Sequence, residues 1–421
     1  MADIKAQGEF ICHPVGEGLF YTGEIEFWNR NTSFIFIYDC GSMSNSALEK
    51  PLEYFVYKVK RKGGEIDMLI LSHLHQDHVS GVEFLCRSVK VKEVMLTYLT
   101  PIERLILALK YFNKYKASWY YEFLSDPVKF LLERGVERVI IIGEAPPDEE
   151  TPVPREISPF GPEETPKKKI RHKLYNLPNQ KNESLTMDEI LREEPDWETF
   201  WKKNKLLLLS HQGYSIVLGL WVFRFFNYKI SSEKIKNFKE CVKKMFNKNH
   251  NAVSCKDDWI KKIILGLDQD KIARLKECYH ESISRYLNNT SLAVFHGPLG
   301  KYRIMPWDID SFGFLLTGDI NLNLPKYEEF QKHFKEYLSR IIFILVPHHG
   351  ARNNWNSRIL MDCYNARVWF ASTGVKTPYG HPSYYVVHEI ERRKNMFLWV
   401  NEDTGVFWRC SIEWNKKGGT K

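Results

Sequence analysis

The chain has 421 residues, 43% apolar, 14% aromatic and 27% charged, with 60 basic against 52 acidic side chains and a net charge of +8. That balance excludes an intrinsically disordered chain and leaves enough apolar material for a sizeable core. The most apolar stretch, 206–226, is interrupted by Ser210-His211-Gln212-Gly213 and by Arg224, so it reads as strands and not as a membrane span. The opening Met1-Ala2-Asp3-Ile4-Lys5 lacks the apolar centre of a secretory signal.

In chain order, residues 8–40 alternate apolar and polar side chains around turns and predict two or three antiparallel strands. Residues 47–61 set Leu48, Leu52, Phe55 and Val56 at helical spacing. Met68-Leu69-Ile70-Leu71 predicts a buried strand, with a helix over 79–88 and a returning strand over 89–96. A helical pair is expected over 101–132 and a strand over 136–143, before a proline- and charge-rich surface loop at 144–169. A short amphipathic helix at 187–203, strands of a second half-sheet at 206–228 and helices at 231–287 follow. From residue 288 onward strands alternate with helices, one of them over 328–340. Strands toward both ends of the chain with helices between them predict an α/β fold, a four-layer αβ/βα sandwich. The expected organisation is one domain over 1–421 with a loop-rich insertion at 144–205 and a helical insertion at 231–287. Insertions of this kind commonly shape substrate access.

Directly after the Met68-Leu71 run comes Ser72-His73-Leu74-His75-Gln76-Asp77-His78, three imidazoles and one carboxylate within six positions. A turn leaving a strand fans alternate side chains apart, so His73 and His75 point one way and Asp77 and His78 the other. Each pair suits a divalent ion that accepts nitrogen and oxygen donors, such as zinc. Three later apolar runs end in further donors: Gly318-Asp319, His348-His349-Gly350 and Tyr379-Gly380-His381-Pro382. A single histidine after a strand is more often a satisfied polar residue than a ligand, but all of these at strand ends make a site.

These motifs resemble those of metallo-β-lactamase-fold hydrolases, and more narrowly the soluble hydrolase domain of ComEC-type DNA-uptake competence proteins. Val15-Gly16-Glu17-Gly18 resembles the family's opening turn and Tyr38-Asp39-Cys40-Gly41-Ser42 its Asp-x-Gly strand end. The ligand turn, Asn288-Asn289-Thr290-Ser291-Leu292-Ala293-Val294, Leu316-Thr317-Gly318-Asp319, Val346-Pro347-His348-His349-Gly350, Tyr379-Gly380-His381-Pro382 and Thr404-Gly405 follow in the family's order. Two departures stand out. His75 occupies a position where many members of the subtype carry a carboxylate, and the usual third histidine ligand before the Gly-Asp strand is absent. Asn288 or Asn289 falls near that place, while His296 lies at the far end of its strand, outside the site.

The resemblance implies a metal-dependent hydrolase, a nuclease that cleaves phosphodiester bonds of DNA or RNA with a hydroxide shared between two cations. The implied cofactors are two divalent ions, zinc, with manganese as the alternative at an oxygen-richer site. His73 and His75 hold the first ion, Asp77, His78 and His348 the second, and Asp319 bridges them. Asp77 also orients the hydroxide, and His381 binds a phosphate oxygen or protonates the leaving group. Asp39 fixes the tautomer of a ligating imidazole, Asn288 is a weak ligand or supports one, and His349 turns away into the structure. The alternatives are a small-molecule hydrolase (lactone, thioester or cyclic nucleotide) and a partner-activated subunit of a defence or DNA-processing system. Unlike full ComEC proteins, this chain carries no membrane channel, which motivates a protein partner encoded nearby.

Lysines gather at Lys167-Lys168-Lys169, Lys202-Lys203, Lys234, Lys236, Lys239, Lys243, Lys244 and Lys248, interleaved with Trp197, Phe200, Trp201, Tyr214, Trp221, Phe225, Phe226 and Tyr228. Basic chains neutralise phosphates and aromatic faces stack on unpaired bases, so this interval is the expected nucleic-acid surface. The eight cysteines include no C-x-x-C pair, and reduced thiols in a cytoplasm are the expected state.

Overall fold

The computed structural model describes residues 5–27, 32–111, 118–143, 173–174, 186–210, 215–218, 221–228, 232–246, 258–282, 291–298, 303–305, 309, 312–323 and 326–413. Among these the strands run β1 (Lys5–Cys12), β2 (Gly18–Phe27), β3 (Thr32–Ser42), β4 (Glu65–Leu71), β5 (Lys90–Thr97) and β6 (Arg138–Gly143). They continue as β7 (Lys173–Leu174), β8 (Leu206–Ser210), β9 (Ser215–Leu218), β10 (Trp221–Phe226), β11 (Ala293–Pro298) and β12 (Arg303–Met305). The last are β13 (Phe314–Leu316), β14 (Phe343–Leu345), β15 (Val368–Ser372), β16 (Met396–Val400) and β17 (Val406–Glu413). One sheet has the order β12-β17-β1-β2-β3-β4-β5-β6-β8 and the other β16-β15-β14-β13-β11-β10-β9-β7.

Period-two alternation explains the layers. In β3, Phe34, Phe36 and Tyr38 enter the core between the sheets, where they meet Phe223, Phe314 and Trp408. Ile35 and Ile37 face the other way, into a core with Leu48, Leu52 and Leu105 from helices Asn45–Arg61 and Pro101–Tyr111. The second sheet carries its own outer layer, where Phe330, Phe334, Leu360 and Ile390 come from helices Lys326–Leu338, Ile359–Asp362 and Tyr384–Glu391. Helix, sheet, sheet and helix make the αβ/βα sandwich.

Strands β3 to β6 and β8 pair in parallel, as do β13 to β16. Parallel strands bring their carboxyl ends to one edge, the usual place for a site in α/β sheets. Asp39, the 72–78 turn, Asp319 and the His348–Gly350 turn all sit at or just past such ends, on β3, β4, β13 and β14.

Several expectations change. Strand β8 joins the first sheet, parallel to β6, while β9 and β10 lie in the second, so 206–228 spans both sheets. Its leucines are apolar on both faces, Leu206 and Leu208 toward the helices and Leu207 and Leu209 between the sheets, as suits a parallel strand. The 187–203 helix is broken into Met187–Glu193 and Glu198–Lys202 around a tight turn at Pro195–Trp197. Proline lacks the N–H that would carry the helix through. Within 231–287 the helices are Ser232–Phe246, Asp258–Leu265 and Gln269–Ser282, and Phe238, Val242, Ile260 and Leu275 share the first sheet's outer core. Cys12, Cys40, Cys86, Cys363 and Cys410 are free and buried, but Cys241 is disulfide-bonded, against the expectation of reduced thiols throughout. No described helix is long and apolar enough to cross a membrane.

Candidate metal centre

The site begins with glycine. A Cβ on Gly41 would lie 2.5 Å from the His78 carbonyl carbon, and one on Gly18 2.7 Å from the Asp77 oxygen, so bare backbone at both positions lets the ligand turn settle on β2 and β3. Three non-glycine residues here hold left-handed backbones: Asp39 (φ 58°), His348 (φ 48°) and His349 (φ 54°). Such conformations are uncommon outside glycine and persist where surrounding structure enforces them.

Two close-set groups of donors result, His73 with His75 and Asp319, and Asp77 with His78 and His349, all buried. Asp319 faces both. Its Oδ2 lies 3.4 Å from His73 Nε2 and 3.5 Å from His348 Nε2. Its Oδ1 lies 3.4 Å from His78 Nε2 and 3.6 Å from His349 Nε2. Asp77 Oδ2 is 3.6 Å from His78 Nε2 and 3.4 Å from His349 Nε2. These separations exceed the 2.7–3.2 Å of an ordinary N–H···O hydrogen bond. They match two donors on one tetrahedral ion, which legs of about 2.0–2.1 Å place roughly 3.3 Å apart.

The opposite ring nitrogens are spoken for. His78 Nδ1 donates to Asp39 Oδ2 at 2.7 Å, and His349 Nδ1 donates to the Ser372 carbonyl at 2.6 Å. His348 Nδ1 donates to Asn354 Oδ1 at 2.9 Å. Ser72 Oγ donates to Asp39 Oδ2 at 2.6 Å, which leaves it to accept from His73 Nδ1 at 2.9 Å. Each proton on Nδ1 frees an Nε2 lone pair. The Nε2 atoms of His73, His75, His78 and His349, with Asp77 Oδ1 and Asp319 Oδ1, are buried without any hydrogen-bond partner. Orphaned buried polar atoms are costly, and so many converging on one point fit a cation.

The charges agree with that crowding. Burial holds His73 and His75 below the ordinary imidazole range, with His78 and Lys110 respectively adding repulsion. Burial alone would do the same to His78 and His349, but carboxylates prevail. Asp39, Asp77 and Asp319 carry His78 well above its usual value, and Asp319, Asp77 and Glu17 push His349 up to about 9. Burial opposes ionisation of Asp319, yet the surrounding imidazoles hold it well below the carboxylate range.

Of the sequence-predicted residues, the structure gathers His73, His75, Asp77, His78, Asp319, His348 and Asp39 at one place. It exchanges the two neighbours after β14. The sequence predicts His348 beside the second group and His349 turned inward; His349 joins Asp77 and His78, while His348 reaches the Asp319 oxygen that His73 faces. Two consecutive left-handed residues followed by Gly350 (φ 85°) reorient both side chains. His348 thus stands on the side where the usual third histidine is absent from the sequence. Asn288 lies outside the described residues. His296 is away from the site, bonded to Tyr21 Oη at 3.1 Å and stacked on Phe314. His381 is at the mouth, its ring 5.6 Å from His348, with Glu17 3.9 Å from its Nδ1.

Ser72, Ser291 and Asn354 were not anticipated. Ser291 Oγ accepts from the Asp319 amide at 2.9 Å, and Asn354 Nδ2 donates to the Asp319 carbonyl at 3.2 Å. Ser72 carried a signal in its place beside His73, and Ser291 in its place within the 288–294 motif, whereas Asn354 carried none. The expected aromatic surface is instead mostly core: Trp197, Trp221, Phe225, Phe226 and Tyr228 are buried and Phe200 is partly so, while Trp201 is exposed. In strands their faces are taken by neighbouring layers, and Trp197 Nε1 donates to Asp126 Oδ1 at 2.9 Å. Lys167, Lys168, Lys169, Tyr214 and Lys248 lie outside the described residues.

Residues 28–161, the ligand turn included, match the model of the metallo-beta-lactamase superfamily. No curated protein matches the chain. Among solved structures, the crystal structure of a long form RNase Z from yeast aligns at 9% identity and a TM-score of 0.28, over 80% of this chain and 32% of that one. The chain therefore spans about a third of that nuclease's length.

Proposed function

We propose that the chain is a metal-dependent phosphodiesterase that cleaves nucleic acid. The observation that carries this reading is Asp319, whose two carboxylate oxygens face two separate donor groups at the spacing of shared ligands. Two divalent cations, zinc by the donor set or manganese, would supply charge neutralisation and acidify a water at neutral pH. His73, His75 and His348 would hold one with Asp319, and Asp77, His78 and His349 the other.

The remaining work falls to the protein's own groups. Asp39 and Ser72 keep His78 and His73 in the tautomer that presents Nε2. At the mouth, burial and the neighbouring His349 and His348 push His381 down to about 4, so it is neutral at pH 7 and offers one N–H. That suits holding a phosphate oxygen better than delivering a proton to the leaving group. Lys110 acts electrostatically on His75, so a cation is close to that ligand. Phosphate recognition by such groups, together with the motif order that resembles ComEC-type hydrolase domains, supports a polynucleotide substrate.

End-labelled single- and double-stranded DNA and RNA, incubated with manganese, zinc or magnesium beside an Asp77→Ala/His78→Ala control, test the reading. Metal-dependent cuts that vanish in the control support it and name the polymer. Bound metal without cleavage of any polymer replaces it with a small-molecule or partner-activated hydrolase.

A further inference from the structure

The aromatics of 221–228 are buried, but another set is not. Tyr379 is 50% exposed, Tyr384 81% and Tyr385 41%, all within a few residues of His381. Single exposed rings are ordinary, but several gathered beside a site mark an interaction surface. Each is held flat against a partner. Tyr379 stacks on His381 with centroids 5.9 Å apart, and Tyr384 stacks on His388 at 5.7 Å. The Arg352 guanidinium lies 4.5 Å over the Tyr385 ring, and Arg352 follows the His348–Gly350 turn by two residues.

We propose that this face, Tyr379, Tyr384, Tyr385 and Arg352, is the platform on which single-stranded nucleic acid stacks as it enters the metal centre. The inference rests on the phosphodiesterase reading and names its substrate class. Bases already paired in a duplex are stacked on each other, so exposed side-chain rings select unpaired ones. Charge is complementary: between residues 375 and 394 Lys376, Arg392, Arg393 and Lys394 outnumber Glu389 and Glu391. Position is equally informative. Tyr379 stacks on His381, whose ring lies 5.6 Å from His348 and 6.4 Å from His349, so a strand lying on the platform delivers a phosphate to the metal centre.

A similar pair serves as a control. Tyr57, 56% exposed, has Arg61 5.8 Å from its ring, near the end of helix Asn45–Arg61 that leads toward the start of β4. That end of the sheet is opposite to the site.

The test is anisotropy of fluorescein-labelled oligo(dT) and oligo(U) of about 20 nucleotides on the full chain, with chelator present to stop cleavage. Tyr384→Ala and Tyr385→Ala should each weaken binding about tenfold, whereas Tyr384→Phe, Tyr385→Phe and Tyr57→Ala should bind as wild type. Unchanged binding in the alanine variants, or equal loss in Tyr57→Ala, overturns the platform. So does light scattering that finds a dimer which Tyr384→Ala dissociates, since the face would then join two copies. Hydrolysis of bis(p-nitrophenyl) phosphate by the wild-type protein with manganese separates the two ideas. Hydrolysis without polymer binding removes the platform and keeps the phosphodiesterase; ring-dependent binding without hydrolysis does the reverse.

Discussion

Asp39 accepts the His78 Nδ1 proton at 2.7 Å, and this bond decides which imidazole nitrogen faces the metal centre. The same carboxylate takes the Ser72 amide and hydroxyl, both at 2.6 Å. Asparagine tolerates the left-handed backbone at this position, so Asp39→Asn should leave the apoprotein folded. Its amide would turn N–H toward His78, moving the imidazole proton to Nε2. Metal affinity should fall about 10–100-fold, read by competition with a chromophoric chelator, while the melting midpoint without metal changes little. Unaltered affinity would mean that Asp39 is only structural.

His349 gives the centre a pH dependence. Its folded value near 9 is raised above the ordinary 6.5, so in the empty site it is protonated at pH 7. That proton stabilises the apoprotein fully below about pH 6.5, and the contribution disappears as pH rises through about 9. Metal must displace it together with the proton that the carboxylates hold on His78. Affinity should therefore climb about tenfold or more per pH unit between 7 and 9, with proton release detectable by calorimetry in buffers of different ionisation heat. A flat profile over that range would contradict ligation by His349.

If His381 holds a phosphate oxygen, His381→Ala should reduce kcat/KM about 10–100-fold, the worth of a hydrogen bond to a charged group. The loss should be equal for diesters with good and poor leaving groups. A loss concentrated on poor leaving groups would assign it the proton-donor role instead.

A buried ion network ties helix Asp258–Leu265 to the helices around Arg104, Asp126 and Glu194 that cover the first sheet. Arg104 pairs with Glu194, and Lys261 Nζ lies 2.8 Å from Glu194 Oε2 and 3.0 Å from Asp126 Oδ2. Glu194→Gln leaves two cations short of a counter-charge and should cost about 3–5 kcal/mol by denaturant unfolding. A cost below about 1 kcal/mol would match a solvated pair and remove the network as a fastening for 258–265.

The ligand turn was legible because its chemistry is local: a strand, a turn and four donors within six residues need no distant partner to be seen. Asp319 was legible for the same reason, a carboxylate just past an apolar run. The exchange of His348 and His349 was not, because it depends on two left-handed φ values that histidine does not advertise. Nor was Asn354, which reaches the site by a turn after Gly350. The middle aromatics misled because alternation in a strand does not reveal which face another layer covers. Trp221 and Phe225 enter the core between the sheets, and Phe226 and Tyr228 the core beyond the second. The exposed tyrosines near His381 are ordinary in sequence and distinctive only once their burial is known.

Metal content tests the central claim most directly. Protein dialysed against zinc at pH 8 and weighed by native mass spectrometry should carry two ions per chain, and Asp319→Ala no more than one. Wild-type protein that holds none, or an Asp319→Ala variant that keeps both, would contradict a dinuclear centre bridged by that carboxylate.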